Sequence, residues 1–168
     1  MQNSINIKDK QFLLYITQDQ LYKRILELAE QINRDYKNRT PLFIVVLNGS
    51  FLFAADLIRN VDINCGVSFV KLASYDGTGS NGIVKELIGM EENVKGKELI
   101  IIEDIVDTGR TMKNLVEKLQ EENPAGISIV SLLFKKKALI EDVVPDYVML
   151  PLERDAVTVD VVNQVVLD

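Results

Sequence analysis

The chain has 168 residues, 47% hydrophobic and 26% charged, a balance that suits one globular domain with a substantial core and excludes a disordered chain. It contains no histidine, which excludes a Ser-His-Asp triad, a Cys-His dyad and a histidine-ligated zinc site. Any metal should then be a hard ion with oxygen ligands, Mg²⁺ first, and the net charge of −6 argues against binding of long nucleic acids.

The sequence also gives expectations for compartment and domain organisation. No apolar run approaches the ~20 residues of a membrane helix, and residues 1–10 lack the apolar segment of a secretory signal. The single cysteine, Cys65, has no partner for a disulfide within the chain, which fits a reducing compartment. We therefore expect a cytoplasmic protein that folds as one domain over residues 1–168.

The first part of the chain alternates helical and strand patterns. Residues 17–20 have the form of a capping box, and apolar residues recur at helical spacing over 21–36. Residues 42–47 are a continuous apolar run, as expected for a strand buried on both faces. A tight loop at 48–50 and a short apolar helix at 51–58 follow.

The second part continues the alternation, which predicts an α/β fold with a largely parallel central sheet flanked by helices. Residues 76–82 are rich in turn formers and are predicted to be a mobile loop. The other predicted elements are strands at 66–75, 83–88 and 98–102, a loop at 104–110, a helix at 111–121, and strands at 127–134 and 146–150.

The segment 98–111 carries most of the chemical information, because ligands of open α/β sheets bind beyond the carboxyl ends of the strands. Residues 108–111 offer consecutive backbone amides, two hydroxyls and a cation at a helix start, which suits a phosphate monoester. Glu103, Asp104 and Asp107 precede them, and carboxylates there can accept from sugar hydroxyls, hold hydrated Mg²⁺ or move a proton. By itself the segment also fits an ordinary turn with solvated acids.

A longer string decides between these interpretations. Residues 103–111, EDIVDTGRT, resemble the phosphoribosyl-pyrophosphate signature of the type I phosphoribosyltransferases, in the form of the hypoxanthine-guanine branch. Residues 47–50 resemble the pyrophosphate loop of that branch, 74–75 with the glycine-rich stretch its mobile lid, and 131–135 the strand that ends in its purine-reading lysine. The resemblance covers about residues 10–150 and implies that family's fold, with a small hood region and a lid loop.

The resemblance implies purine salvage, in which the 5-phosphoribosyl group of phosphoribosyl pyrophosphate passes to hypoxanthine, and to guanine, giving IMP or GMP and pyrophosphate. Asp107 is implied as the general acid/base beside N7 of the purine. Glu103 and Asp104 are implied to lie at the ribose hydroxyls and the Mg²⁺ ion. The residues implied to bind the 5′-phosphate are Asp107, Thr108, Gly109, Arg110 and Thr111.

Four further contact regions are implied in the same way. Asn48 and Gly49 would present their amides to pyrophosphate after a non-proline cis bond between Leu47 and Asn48. Lys135 would donate to the 6-oxo group of the base and so favour hypoxanthine or guanine over adenine. The remaining implied contacts are Ala156 and Val157 at the purine and Ser74 and Tyr75 in the lid.

The chain departs from the branch at several positions. Asn48 stands where many relatives have Lys or Arg, and Arg110 stands where they have Lys. Ala156 aligns with an aromatic residue that stacks on the purine, and no Arg follows Arg154. Two alternatives therefore stay open beside the main one, a xanthine-preferring phosphoribosyltransferase and a weakly catalytic or non-catalytic nucleotide-sensing regulator.

A dinucleotide-binding protein is a further alternative, because residues 77–82 match the pattern G-x-G-x-x-G. That fingerprint opens a helix, and residues 83–88 show no helical stripe, so a lid loop explains the segment better. The expected ligands are phosphoribosyl pyrophosphate, a purine base and Mg²⁺, without membrane or nucleic acid, and the resemblance implies a homo-dimer or homo-tetramer.

Overall fold

A computed structural model describes residues 4–7, 10–13, 16–74, 84–88 and 92–152, with side chains described at 16–72 and 92–152. In chain order its elements are β1 (Ser4–Ile7), β2 (Lys10–Leu13), α1 (Gln18–Asp35), β3 (Leu42–Leu47), α2 (Phe51–Ile58), β4 (Gly66–Ser74), β5 (Val84–Ile88), β6 (Glu98–Val106), α3 (Arg110–Glu121), β7 (Gly126–Phe134), a 3₁₀ turn (Lys136–Ala138) and β8 (Tyr147–Pro151).

The central sheet has the strand order β5-β4-β3-β6-β7-β8 within the described ranges. Strands β4, β3, β6, β7 and β8 run parallel to their neighbours, and β5 is antiparallel to β4. The predicted α/β fold with a largely parallel sheet is therefore confirmed. A separate antiparallel pair, β1 with β2, was not expected from the sequence.

Strand β3 shows why the sheet is buried on both faces. Phe43 and Val45 pack into the core beneath α1 and α2, whereas Ile44 and Val46 pack into the core beneath α3. Phe43, Ile44 and Val45 are all 0% exposed. The unbroken apolar run that predicted this strand is the pattern that a sheet covered by helices on both sides requires.

Helix α1 begins with the capping box that the sequence predicted. The Thr17 hydroxyl accepts a hydrogen bond from the Gln20 amide, at 3.2 Å, and the Gln20 side chain accepts one from the Thr17 amide, at 2.8 Å. These two bonds satisfy donors that the first turn of a helix leaves unpaired. The helix then buries a stripe at helical spacing, consisting of Ile25, Leu28, Ala29 and Ile32.

The predicted loop at 104–110 is wrong at both ends. Strand β6 continues through Val106, because Ile105 and Val106 remain paired with Leu133 and Phe134 of β7. Helix α3 begins at Arg110, one residue earlier than expected, after Gly109 at φ 81°. The turn between strand and helix is therefore only residues 107–109, and the acids at 103 and 104 lie on the strand.

This topology places the ends of β3, β6 and β7 side by side, since these three strands are parallel neighbours. The loop after β3, the turn after β6 and the residues after β7 therefore meet at one edge of the sheet. Among the described residues, none of the helices combines the length and apolarity needed to cross a bilayer.

Candidate active site

An open cleft of about 320 Å³ lies at the carboxyl edge of the sheet, between the loop after β3, the end of β6 and the start of α3. Gly49, residues 103–109 and Thr111 contribute to its lining. The structure thus brings together most of the residues predicted for the ribose, the phosphate and the pyrophosphate. Asn48 and Arg110 are exposed.

The loop after β3 lies directly against the end of β6. A Cβ atom added to Gly49 would fall 1.9 Å from Oδ2 of Asp104 and 2.6 Å from its Cγ, so a larger residue here would have to displace that carboxylate or the loop. The Leu47–Asn48 peptide is cis, as the resemblance implied. Ser50 closes the loop from inside, since its buried hydroxyl donates to the Val46 carbonyl at 2.6 Å.

Glu103 and Asp104 occupy consecutive positions on β6 and differ in environment. Glu103 is buried, with 7% of its surface exposed, and its Oε1 accepts from the Asp104 amide at 3.0 Å. Asp104 is half-buried and faces the cleft, and its Oδ1 accepts from the Ile105 amide at 2.8 Å. Burial, and then the neighbouring Asp104 carboxyl group, raise the pKa of Glu103 well above its usual range.

The two acids give an all-oxygen donor set that suits a hard cation. Within the part of the chain that the structure describes, no group of three or more acidic, cysteine or histidine side chains is arranged to hold a metal ion. A pair of carboxylates fits Mg²⁺, which keeps several of its waters and takes one or two carboxylates from the protein together with substrate phosphates. The residues present therefore fit a hydrated Mg²⁺ ion shared with a ligand.

The turn at 107–109 leaves amides available to an anion. The Lys113 amide donates to the Gly109 carbonyl at 2.9 Å, at the start of α3. The Arg110 amide donates to the Thr108 hydroxyl at 3.5 Å. The amides of residues 111 and 112 also precede the Lys113 bond, and such first-turn donors have no partner within their own helix. Thr108 and Thr111 line the cleft beside them, so the structure brings together the residues predicted to bind a phosphate.

Lys135 and Asp107 form an ion pair beside the cleft, with 3.0 Å between Nζ and Oδ2. The lysine side chain is 15% exposed and that of the aspartate 47%. The Lys135 amide also donates to the Val106 carbonyl at 3.0 Å, so that the pairing of β7 with β6 continues to the ion pair. Two residues with separate predicted roles at the purine are thus direct partners.

Four predicted site positions fall wholly or partly outside the described residues. Ser74 ends β4, but its side chain lies outside the described residues, as do Tyr75, Ala156 and Val157. Sequence reasoning also missed Glu141, whose Oε2 lies 2.8 Å from Nζ of Lys113. That contact joins residues 28 apart in the chain, and no local pattern could have revealed it.

We expect Glu103→Gln to raise the midpoint of thermal unfolding at pH 8 without Mg²⁺ or substrate. Glutamine keeps the acceptor for the Asp104 amide and removes the cost of burying a charge. The pKa of Glu103 is higher in the folded protein than in the unfolded chain, where it has the ordinary glutamate value of about 4.3. The free energy of unfolding of the wild type therefore falls as the pH rises from the unfolded pKa through the folded pKa. The difference between the proteins should therefore shrink toward pH 4. Glu92→Gln, an exposed site, is the control, and equal midpoints at both pH values would contradict the expectation.

Sequence comparison places the chain in a known family. Residues 16–165 match the model of the phosphoribosyl transferase domain. The hypoxanthine-guanine phosphoribosyltransferase of Lactococcus lactis is 38% identical over 133 residues, which cover 79% of this chain and 72% of that protein. The enzyme of the same name from Dictyostelium discoideum is 37% identical over 136 residues, with coverages of 78% and 76%.

Comparison with solved structures indicates the same family. A hypoxanthine-guanine phosphoribosyltransferase from Bacillus anthracis, with a HEPES molecule in its active site, has a TM-score of 0.80 at 35% identity, covering 89% of this chain and 86% of that one. The hypoxanthine phosphoribosyltransferase of Trypanosoma cruzi, in complex with the product IMP, has a TM-score of 0.76 at 32% identity, with coverages of 81% and 78%. From its sequence, fold and cleft, the chain belongs to the phosphoribosyltransferase family, in the hypoxanthine-guanine branch.

Proposed function

We propose that this chain transfers the 5-phosphoribosyl group from phosphoribosyl pyrophosphate to hypoxanthine, and to guanine, with release of pyrophosphate. The observation that carries the proposal is that the β3 loop, the acids of β6 and the turn before α3 line the same cleft. The Trypanosoma cruzi relative binds the product IMP, a ligand with a phosphate, a ribose and a 6-oxopurine. The names of the relatives favour this activity over a xanthine-preferring enzyme or a nucleotide-sensing regulator.

In this proposal Thr108, Gly109, Arg110 and Thr111 bind the 5′-phosphate, and Asp107 lies at its edge. The first-turn amides of α3, two hydroxyls and the positive end of the helix dipole favour an anion at this point. Gly109 holds the turn at φ 81°, a conformation that residues with a Cβ rarely adopt. The phosphate thereby anchors the sugar with its ring toward the end of β6.

Glu103 and Asp104 would then face the ribose hydroxyls and would hold a hydrated Mg²⁺ ion. A Mg²⁺ ion bound there supplies positive charge that offsets the negative charge of the departing pyrophosphate. The carboxylates themselves stabilise the positive charge that develops on the ribose as the C1′–oxygen bond breaks. Asn48 and Gly49 present their amides to the pyrophosphate from the opposite side of the cleft.

At the base, N9 forms a bond to C1′ while the bond from C1′ to the pyrophosphate oxygen breaks, and the proton on N7 passes to Asp107. Lys135 donates to the 6-oxo group. Its ammonium has three donors, so the bond to Asp107 leaves others for the base. The direct contact between the two side chains, 3.0 Å apart, supports these roles, since N7 and the 6-oxo group lie on the same edge of a purine.

The lid and the outer purine contacts stay predictions. Ser74 and Tyr75 are proposed to close over the substrates, and a closed lid would keep water from the ribosyl cation. Ala156 and Val157 are proposed to border the base. Because alanine cannot stack on a purine as an aromatic ring does, we infer that this chain relies more heavily on Lys135 for its affinity for the base.

We also propose that the chain acts in the cytoplasm as a homo-dimer or homo-tetramer. Val67 and Phe69 of β4 are 38% and 41% exposed, although they lie beside the fully buried Phe43 and Val45 of β3. Phe51, at the start of α2, is 51% exposed. These exposed apolar side chains support the proposal of a surface that a second copy of the chain covers.

The proposed activity is tested by an ultraviolet assay of hypoxanthine, guanine, xanthine and adenine, each with phosphoribosyl pyrophosphate. We expect turnover of hypoxanthine and guanine in the presence of Mg²⁺ and its loss when EDTA removes the metal. A preference for xanthine would replace the proposed substrate. Binding of IMP without turnover of any purine would support the regulator instead.

We expect Asp107→Asn to lower kcat by about 10²–10⁴-fold, the range for loss of a general acid or base. The Michaelis constant for phosphoribosyl pyrophosphate should change little, because the amides and hydroxyls of the phosphate turn remain. Steady-state kinetics with hypoxanthine measures both constants. Asp62→Asn, at an exposed position after α2, is the matched control. Turnover at the wild-type rate would remove Asp107 from the mechanism.

We expect Gly49→Ala to abolish most activity while the protein stays folded. A methyl group at this position would overlap the Asp104 carboxylate, so either that carboxylate or the exposed loop must shift to admit it. Such a shift misplaces a metal-binding carboxylate or the pyrophosphate amides, and a displacement of about 1 Å can cost 10²-fold in rate. Gly126→Ala is the matched control, because a Cβ there would also meet a carboxylate oxygen, Oε2 of Glu98 at 2.6 Å, but at the start of β7 and away from the cleft. Activity within twofold of wild type would show that the contact has no importance.

A further inference from the structure

The segment 135–141, which follows β7, passes behind the phosphate turn. The carbonyl of Thr108 accepts two hydrogen bonds from it, one from the Ile140 amide at 3.0 Å and one from the Glu141 amide at 3.1 Å. A carbonyl with both lone pairs engaged in this way is fixed in direction. Since it points toward the segment, it does not face the bound anion, which it would repel.

The same segment also packs against Gly109. A Cβ on that glycine would lie 2.9 Å from Cδ1 of Leu139 and 3.3 Å from Cβ of Glu141. The contact explains why position 109 needs a glycine for space as well as for its φ of 81°. The back of the turn is therefore in close contact with residues 139–141.

A side-chain ion pair completes this support. Nζ of Lys113 lies 2.8 Å from Oε2 of Glu141, with the two side chains 44% and 26% exposed. The Lys113 amide also donates to the Gly109 carbonyl. Glu141 thus contacts the turn through its amide and the first turn of α3 through its carboxylate.

We propose that Glu141 is a positioning residue for the 5′-phosphate site, acting through Lys113 and the Thr108 carbonyl. It holds the 107–109 turn in the conformation that directs the first-turn amides of α3 into the cleft. The inference rests on the proposed function, because it concerns how that site binds the phosphate of phosphoribosyl pyrophosphate and of IMP. Glu141 itself lies behind the turn and needs no contact with substrate.

The negative charge of Glu141 would have the opposite effect on anion affinity, so the two effects can be told apart by experiment. A carboxylate near Arg110 and the phosphate site should weaken anion binding by repulsion, so that removing its charge should tighten binding. Positioning predicts the reverse. The direction of the change therefore separates the two effects.

We expect Glu141→Ala to raise the Michaelis constant for phosphoribosyl pyrophosphate and the Kd for IMP about three- to fivefold, the upper range for a partly exposed ion pair. The Michaelis constant for hypoxanthine and kcat should stay within about twofold of wild type. Glu141→Gln should recover most of the loss, since its amide oxygen can still accept from Lys113. Steady-state kinetics and calorimetric titration with IMP measure these constants.

Glu92→Ala is the matched control, because Glu92 forms a comparably exposed ion pair with Lys97 on a different loop. It should leave all constants unchanged. Tighter or unaltered IMP binding in Glu141→Ala, or equal effects of alanine and glutamine, would overturn the positioning role alone. A wild-type protein that neither binds IMP nor consumes phosphoribosyl pyrophosphate would overturn the proposed function, and this inference with it.

Discussion

The contact between Gly49 and Asp104 is the constraint on which the cleft depends. It joins the loop after β3 to the Asp104 carboxylate near the end of β6, at a distance that leaves little room for a side chain at position 49. The contact holds the loop that carries Asn48 and Gly49 against the strand that carries the two acids. The parallel pairing of β3 with β6 brings the ends of both strands to the same edge of the sheet. The absence of a side chain at Gly49 then lets the loop after β3 contact Asp104 directly.

The proposed substrates are highly charged anions, whereas the chain has a net charge of −6. Its positive potential is local and comes from main-chain dipoles at the start of α3 together with a few lysine and arginine side chains nearby. Lys135 is paired with Asp107, and Lys113 is paired with Glu141. Each of these two cations is therefore paired with an acidic side chain, and the pairs reduce repulsion between positive groups near the cleft.

The sequence was sufficient for the sheet and for a set of candidate residues most of which the structure brings to one cleft, because these patterns are encoded locally. The apolar run of β3, the capping box at Thr17 and the string 103–111 each depend on residues close in the chain. The extension of β6 through Val106 was missed, because the acids at 103 and 104 look like loop residues until the pairing with β7 is known. The Lys135–Asp107 and Lys113–Glu141 contacts each join residues 28 apart and depend on the tertiary fold.

Two neighbouring positions in the loop after β3 differ in the space that they leave for a side chain. A Cβ at residue 49 would overlap the Asp104 carboxylate, whereas the side chain of Asn48 is exposed. The charge on this side of the cleft can therefore be altered at position 48, for example by a lysine or an arginine, without placing new atoms against Asp104. Protein engineers who wish to change the affinity of the cleft for an anion could vary residue 48 and keep the contact at residue 49 intact.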